Sequence, residues 1–143
     1  MKHYANCAVG YALTAMIGGV FYRELTKAVG FSGSSALSVL HTHYFVLGMF
    51  FFLMLLLLEK SFSFTQSSTK KALVLYHIGL NLTGIMLLTR GLLTVLAVSF
   101  STGLNAAVSG IAGIGHILMS VGLVLLLLQI RKAVLSPSSA ARS

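Results

Sequence analysis

Carboxylates are nearly missing from this sequence: Glu24 and Glu59 are all it has, against ten lysines and arginines. With so few acids there is no carboxylate–histidine–nucleophile set at one level of the chain, and an ordinary hydrolase is excluded. Charge of either sign is scarce as well. Only 8% of the 143 residues are charged and 57% are hydrophobic, where a soluble domain carries about 25% charge. A chain this short cannot hide that much apolar surface within itself, so lipid must cover the rest. Cysteine is almost absent. Cys7 stands alone, which excludes a disulfide framework and a thiolate zinc cluster, and its place early in an apolar run reads as a small packing residue. Nothing alternates with period two, and eight strands do not fit in this length, so a membrane β-barrel is excluded too.

Four apolar runs remain, and each is long enough to cross a bilayer core of about 30 Å, which takes about 20 helical residues. They lie at about 4–24, 36–58, 71–99 and 104–130. The predicted fold is all-α, a polytopic membrane protein forming one four-transmembrane-helix bundle over residues 1–132, with a disordered tail at 133–143 around Pro137. The first run contains Asn6, Tyr11 and Thr14, too polar for the core of a signal peptide, and reads as a retained span. Gly30, Gly33 and a serine-rich stretch mark the first loop, with Ser35 or Ser38 as cap of the second helix.

The basic residues sit at the ends of these runs, without the interleaved aromatics of a nucleic-acid stripe, so no nucleic acid is expected as partner. Lys2, Lys60, Lys70, Lys71, Arg131, Lys132 and Arg142 fall on one side, Arg23 and Lys27 on the other. That asymmetry puts both termini in the cytoplasm of a cell membrane, here expected to be a bacterial plasma membrane.

Polar residues inside the spans carry what functional signal there is. A charge at mid-membrane costs about 2.5–3.5 kcal/mol on insertion scales. Measured from the basic end at about 1.5 Å per residue, His41 and His43 stand about 27 and 24 Å up, His116 about 22 Å and Arg90 about 28 Å. These four share a layer. His77, about 9 Å up, does not, and His3 is terminal and interfacial. Along the fourth run His116 shares a stripe with Ser109, Ala112, Gly113 and Ser120, leaving room for a flat ligand or a close helix neighbour. On the third run His77, Asn81 and Gly84 form a separate side. His41 and His43, two residues apart, point about 200° from one another on a regular helix, which disfavours a compact zinc site and leaves haem open. Arg90 needs a counter-charge, from Glu24 or from a bound anion such as a haem propionate.

The segment Leu40-His41-Thr42-His43 resembles the helix start in subunit I of haem–copper oxidases of the cbb3 and nitric oxide reductase types. There the histidine of His-Thr ligates the low-spin haem, a role the resemblance carries to His41 alone. Gly19–Glu24, the His-Thr-His segment, Thr89–Gly91 and Ser109–His116 together resemble a family of small four-span bacterial membrane proteins of unknown function. Four spans and no set of three copper histidines set the chain apart from the oxidases.

The leading expectation is therefore a b-type haem protein for electron transfer, haem sensing or haem handling. Its iron would be ligated by His41 and His116, with His43 hydrogen-bonded beside the ligands or taking the place of one, and Arg90 by a propionate. The alternatives are a copper or zinc binder or transporter using the same histidines, and a non-catalytic structural or regulatory membrane subunit. Lipid is the expected surroundings, with a second copy or a membrane redox partner as further expected contacts. No catalytic residues are assigned.

Overall fold

The computed structural model describes residues 1–99 and 101–136. They fold as four helices long and apolar enough to cross a membrane, Lys2–Val29, Ala36–Phe62, Ser67–Val95 and Thr102–Val134, with no strand among the described residues. Their outward sides are apolar: Ile17, Leu57, Ile117 and Val124 are each more than half exposed, which is what a lipid-facing surface requires. The third helix starts and ends about one turn earlier than the apolar run implied. Arg90 is therefore only five residues from its end at Val95. The fourth helix continues through Val134, and the part of the expected tail from 137 onward lies outside the described residues.

Local chemistry fixes each helix end. Gly30 closes the first helix in the left-handed conformation, φ 66°, and the Gly30 and Phe31 amides return to the Lys27 and Thr26 carbonyls. Of the two serines expected to cap the second helix, Ser35 does so. Its hydroxyl accepts from the Leu37 amide at 3.2 Å and donates to the Gly91 carbonyl at 3.0 Å, tying this loop to the third helix. At the opposite end Glu59 accepts from both the Thr65 amide (2.9 Å) and the Thr65 hydroxyl (2.7 Å). A capping box of Gln66 and Thr69 then opens the third helix.

The second helix is not uniform. A 3₁₀ turn at Ala36–Val39 and one α-turn at Leu40–His43 lead into a π-helical segment, Tyr44–Phe50, before α-geometry resumes at Phe51. The Tyr76 hydroxyl donates to the Leu47 carbonyl inside that segment at 2.7 Å. Widening from i→i+4 to i→i+5 bonds shifts the face on which every later residue emerges, and such segments often mark functional positions.

Close backbone approach joins the third and fourth helices. A Cβ on Gly79 would fall on the Met119 backbone, and one on Gly122 would press on the Tyr76 backbone. The core then runs through the first three helices at the basic end of the bundle. Tyr4, Tyr11, Phe52, Phe64 and Tyr76 are buried there, with Phe52 and Tyr76 fully so. The Tyr11 ring seats against Gly48 of the π segment, where any side chain would clash.

Candidate functional site

The four residues placed in one layer by depth are not gathered into one site. His41 is half-buried against the first helix, with Gly19 opposite its Cβ and Cγ. Its Nδ1 is buried without a hydrogen-bond partner, and its Nε2 is 3.4 Å from the Thr42 hydroxyl. His43 donates from Nδ1 to the Val39 carbonyl at 3.1 Å. His116 is exposed and donates from Nδ1 to the Ala112 carbonyl at 2.9 Å. Both rings are thus held to their own helices. Arg90 is exposed and reaches the fourth helix, donating to the Asn105 side-chain oxygen at 3.3 Å and to the Ser109 hydroxyl at 2.5 Å. The expected pairing of Arg90 with Glu24 does not form. Glu24 instead lies 3.8 Å from its neighbour Arg23, both side chains largely exposed.

A different group does come together, at the basic end. His3 and Cys7 lie four residues apart on one face of the first helix, and His77 faces them from the third. One ligand atom from each lies within 4.8 Å of the other two. The Cys7 sulfur is 3.7 Å from Nε2 of His3 and 3.7 Å from Nε2 of His77. With metal–sulfur and metal–nitrogen bonds of about 2.3 and 2.0–2.1 Å, sulfur and nitrogen on one ion stand about 3.6–3.8 Å apart. The two sulfur–nitrogen distances therefore already match ligands of a single ion, and the two histidine nitrogens, within 4.8 Å of one another, would stand about 3.3–3.6 Å apart on it.

Supporting groups orient the His77 ring. Its other nitrogen, Nδ1, is 2.6 Å from the Tyr11 hydroxyl, and the Asn81 side-chain amide donates to that same hydroxyl at 3.0 Å. Asn81 also donates to the His77 carbonyl at 2.8 Å and accepts from the Tyr44 hydroxyl at 3.5 Å. Phe52 stacks on the imidazole with centroids 4.7 Å apart, and Tyr11 does so at 5.6 Å. The side of the third helix carrying His77, Asn81 and Gly84 is thus the side that meets Tyr11 and Tyr44, with Gly84 under the Tyr44 ring. A hydrogen bond on one imidazole nitrogen that leaves the other aimed at a common point is the arrangement metal-binding histidines show.

A cavity of about 410 Å³ leads to these rings from the basic end. His3 and His77 line it together with Tyr4, Glu59, Thr65 and Lys70. Tyr4 and Thr65 share a 2.7 Å hydrogen bond. Since the Thr65 proton goes to Glu59, the Tyr4 hydroxyl is the donor to Thr65. A second cavity, about 370 Å³, lies between the first three helices and is lined almost wholly by apolar groups from Thr14 to Leu92.

Sequence reasoning set His3 aside as interfacial, Cys7 as a packing residue and His77 as too deep toward the basic end. The signal for the group was nevertheless present. His3, Cys7 and Tyr11 recur every four residues, and Cys7, about 7–8 Å above Lys2, is level with His77 at about 9 Å.

Fold and site together define a small polytopic four-helix membrane protein with a histidine–cysteine cluster between two of its helices. Residues 1–133 match a protein family of unknown function, DUF2871, and the chain belongs to it. No curated protein and no solved structure matches the chain. The likeness of Leu40–His43 to the oxidase helix thus has no counterpart in these comparisons.

Proposed function

We propose that this protein is an integral membrane transition-metal-binding protein that holds one ion between its first and third helices. The ligands are the Cys7 thiolate and Nε2 of His3 and His77. The observation that carries this reading is the sulfur-to-nitrogen spacing of 3.7 Å on both sides, in a group whose three ligand atoms lie within 4.8 Å of one another. The cavity supplies an entry path, and Glu59 places negative charge on its wall. Placing the basic end in the cytoplasm makes that path open to the cytosol. Holding, sensing or passing on a metal ion follows from such a site more directly than catalysis.

The test is metal stoichiometry. Protein purified in detergent, stripped with a chelator and reloaded with copper(I) or zinc(II), is expected to bind one equivalent per chain. His77→Ala and Cys7→Ser are expected to lose it, and His116→Ala to keep it. Full loading of both His77→Ala and Cys7→Ser would remove the site from these residues.

Haem b remains a second reading, favoured by the buried, unpartnered Nδ1 of His41. It needs His116 or His43 to release a backbone carbonyl and approach the same iron, with Arg90 at a propionate. Absorption spectra of the oxidised and reduced protein separate the two: a sharp b-type band belongs to haem, and a colourless protein with stoichiometric metal belongs to the His3–Cys7–His77 site.

A further inference from the structure

We infer that Arg90 holds the phosphate of an anionic phospholipid, at the end of the bundle opposite the metal group. This does not depend on the metal reading. It stands on a positive charge that the chain itself leaves uncompensated.

The sequence contains two carboxylates. Glu24 lies 3.8 Å from Arg23, and Glu59 accepts from Thr65 at the basic end. Among the described residues Arg90 forms no ion pair. A cation at membrane depth without a counter-charge is costly, so the membrane has to supply the anion.

Level decides which anion that is. The third helix has 29 residues, a rise of about 43 Å. Centred on a hydrocarbon core of about 30 Å, it extends about 6–7 Å into the headgroup layer at each end. Arg90 is five residues, about 7–8 Å, from the end at Val95. It therefore sits where the core meets the headgroups, and its long side chain reaches the lipid phosphates.

Neighbouring groups hold the guanidinium at that level. The Ser109 hydroxyl donates to the Asn105 carbonyl at 2.9 Å, which leaves its oxygen to accept from Nη2 of Arg90. The Asn105 side-chain oxygen accepts from the same nitrogen at 3.3 Å. The N–H groups on Nε and Nη1 have no partner among the described residues, and Arg90 is exposed. Charged donors fixed in this way suit phosphate oxygens. Asn105 and Ser109 lie in the opening turns of the fourth helix, whose dipole adds positive potential on this side. A zwitterionic headgroup would bring an ammonium of its own, and the group of Arg90, Asn105 and Ser109 holds no carboxylate to receive it. A phosphatidylglycerol headgroup neutralises Arg90 without adding a cation.

The experiment uses the full chain, stripped of lipid by detergent exchange. Phosphatidylglycerol, phosphatidylethanolamine or the water-soluble headgroup glycerophosphoglycerol is added, and bound molecules are counted by native mass spectrometry. One phosphatidylglycerol per chain is expected, with phosphatidylethanolamine held about fivefold more weakly. Arg90→Gln is expected to weaken phosphatidylglycerol binding roughly tenfold or more, the worth of one hydrogen bond to a charged group. Arg23→Gln, which removes another exposed cation at this end, is expected to keep it. Equal binding of the two lipids, or equal binding by Arg90→Gln and the wild type, overturns the inference. Glycerophosphoglycerol binding as tightly as the lipid overturns the membrane as the source of the phosphate. A haem found in place of the lipid, by mass and absorption band, returns Arg90 to a propionate and overturns it as well. The comparison of the two lipids needs no variant, so a misfolded Arg90→Gln does not obscure it.

Discussion

The Tyr11 hydroxyl stands 2.6 Å from Nδ1 of His77, across the interface between the first and third helices. That contact links the packing of the bundle to its proposed chemistry. Tyr11 is held from behind by Gly48 of the π-helical segment and from the side by Asn81. The orientation of the imidazole is therefore set by three helices at once. Each consequence below tests one part of this arrangement.

Tyr11→Phe keeps the ring stacking on Phe52 and His77 and removes only the hydroxyl. Loss of such a supporting group typically lowers metal affinity about 10–100-fold. Competition with a chelator should show that drop while the melting temperature of the metal-free protein changes little. Unchanged affinity would show that the hydroxyl does not orient His77.

Gly79→Ala should destabilise the bundle. Its Cβ would meet the Met119 backbone, and overpacking of this kind costs about 1–3 kcal/mol. Gly110→Ala, on the exposed side of the fourth helix with nothing within 4 Å, should be neutral or slightly stabilising, since alanine favours the helix. Thermal unfolding in detergent compares the two. Equal melting temperatures would contradict the close approach of the third and fourth helices.

Arg90→Leu loses hydrogen bonds to two neutral oxygens, those of Asn105 and Ser109, and breaks no ion pair among the described residues. Its effect should fall below the 3–5 kcal/mol of a broken buried pair. Truncating fully buried Phe52 to alanine costs about 3–5 kcal/mol and is the reference. If Arg90→Leu unfolds the protein as readily as Phe52→Ala, a charged partner of Arg90 exists in the membrane.

Orientation is checked by single cysteines in a Cys7→Ser background. Ser34 and Ser68 are both exposed, in the loop before the second helix and at the start of the third. With the basic end in the cytoplasm, an impermeant thiol reagent added to whole cells should label Ser34→Cys and spare Ser68→Cys. The opposite pattern would invert the protein in its membrane.

The elements of this protein were legible one by one, because each depends on local quantities. An apolar run of sufficient length commits to a helix whatever its neighbours do. Ser35 and Gly30 are end signals written within a few residues, while the equally local Gln66–Thr69 box was passed over and the third helix starts a turn earlier than expected. Height along each helix could be counted too, since the rise per residue hardly varies, and the same count applied to Cys7 sets it level with His77. The side presented by His77, Asn81 and Gly84 could also be read, from spacing alone.

Which residues meet was not legible, because it depends on rotation and on the choice of neighbour. Sequence order gives no reason for the fourth helix to lie along the third with His116 turned outward. That follows from the fit of Gly79 and Gly122 to the Met119 and Tyr76 backbones. The π segment Tyr44–Phe50 also changes the phase of the residues that follow it in the second helix. No local signal in Tyr44–Phe50 announces that widening. Sequence thus determined that four helices form and, to within about five residues at each end, where they lie along the chain. Only the packing decided that Cys7 faces two histidines, because a contact between helices is set by the phase and partner that bury the most surface with the fewest clashes.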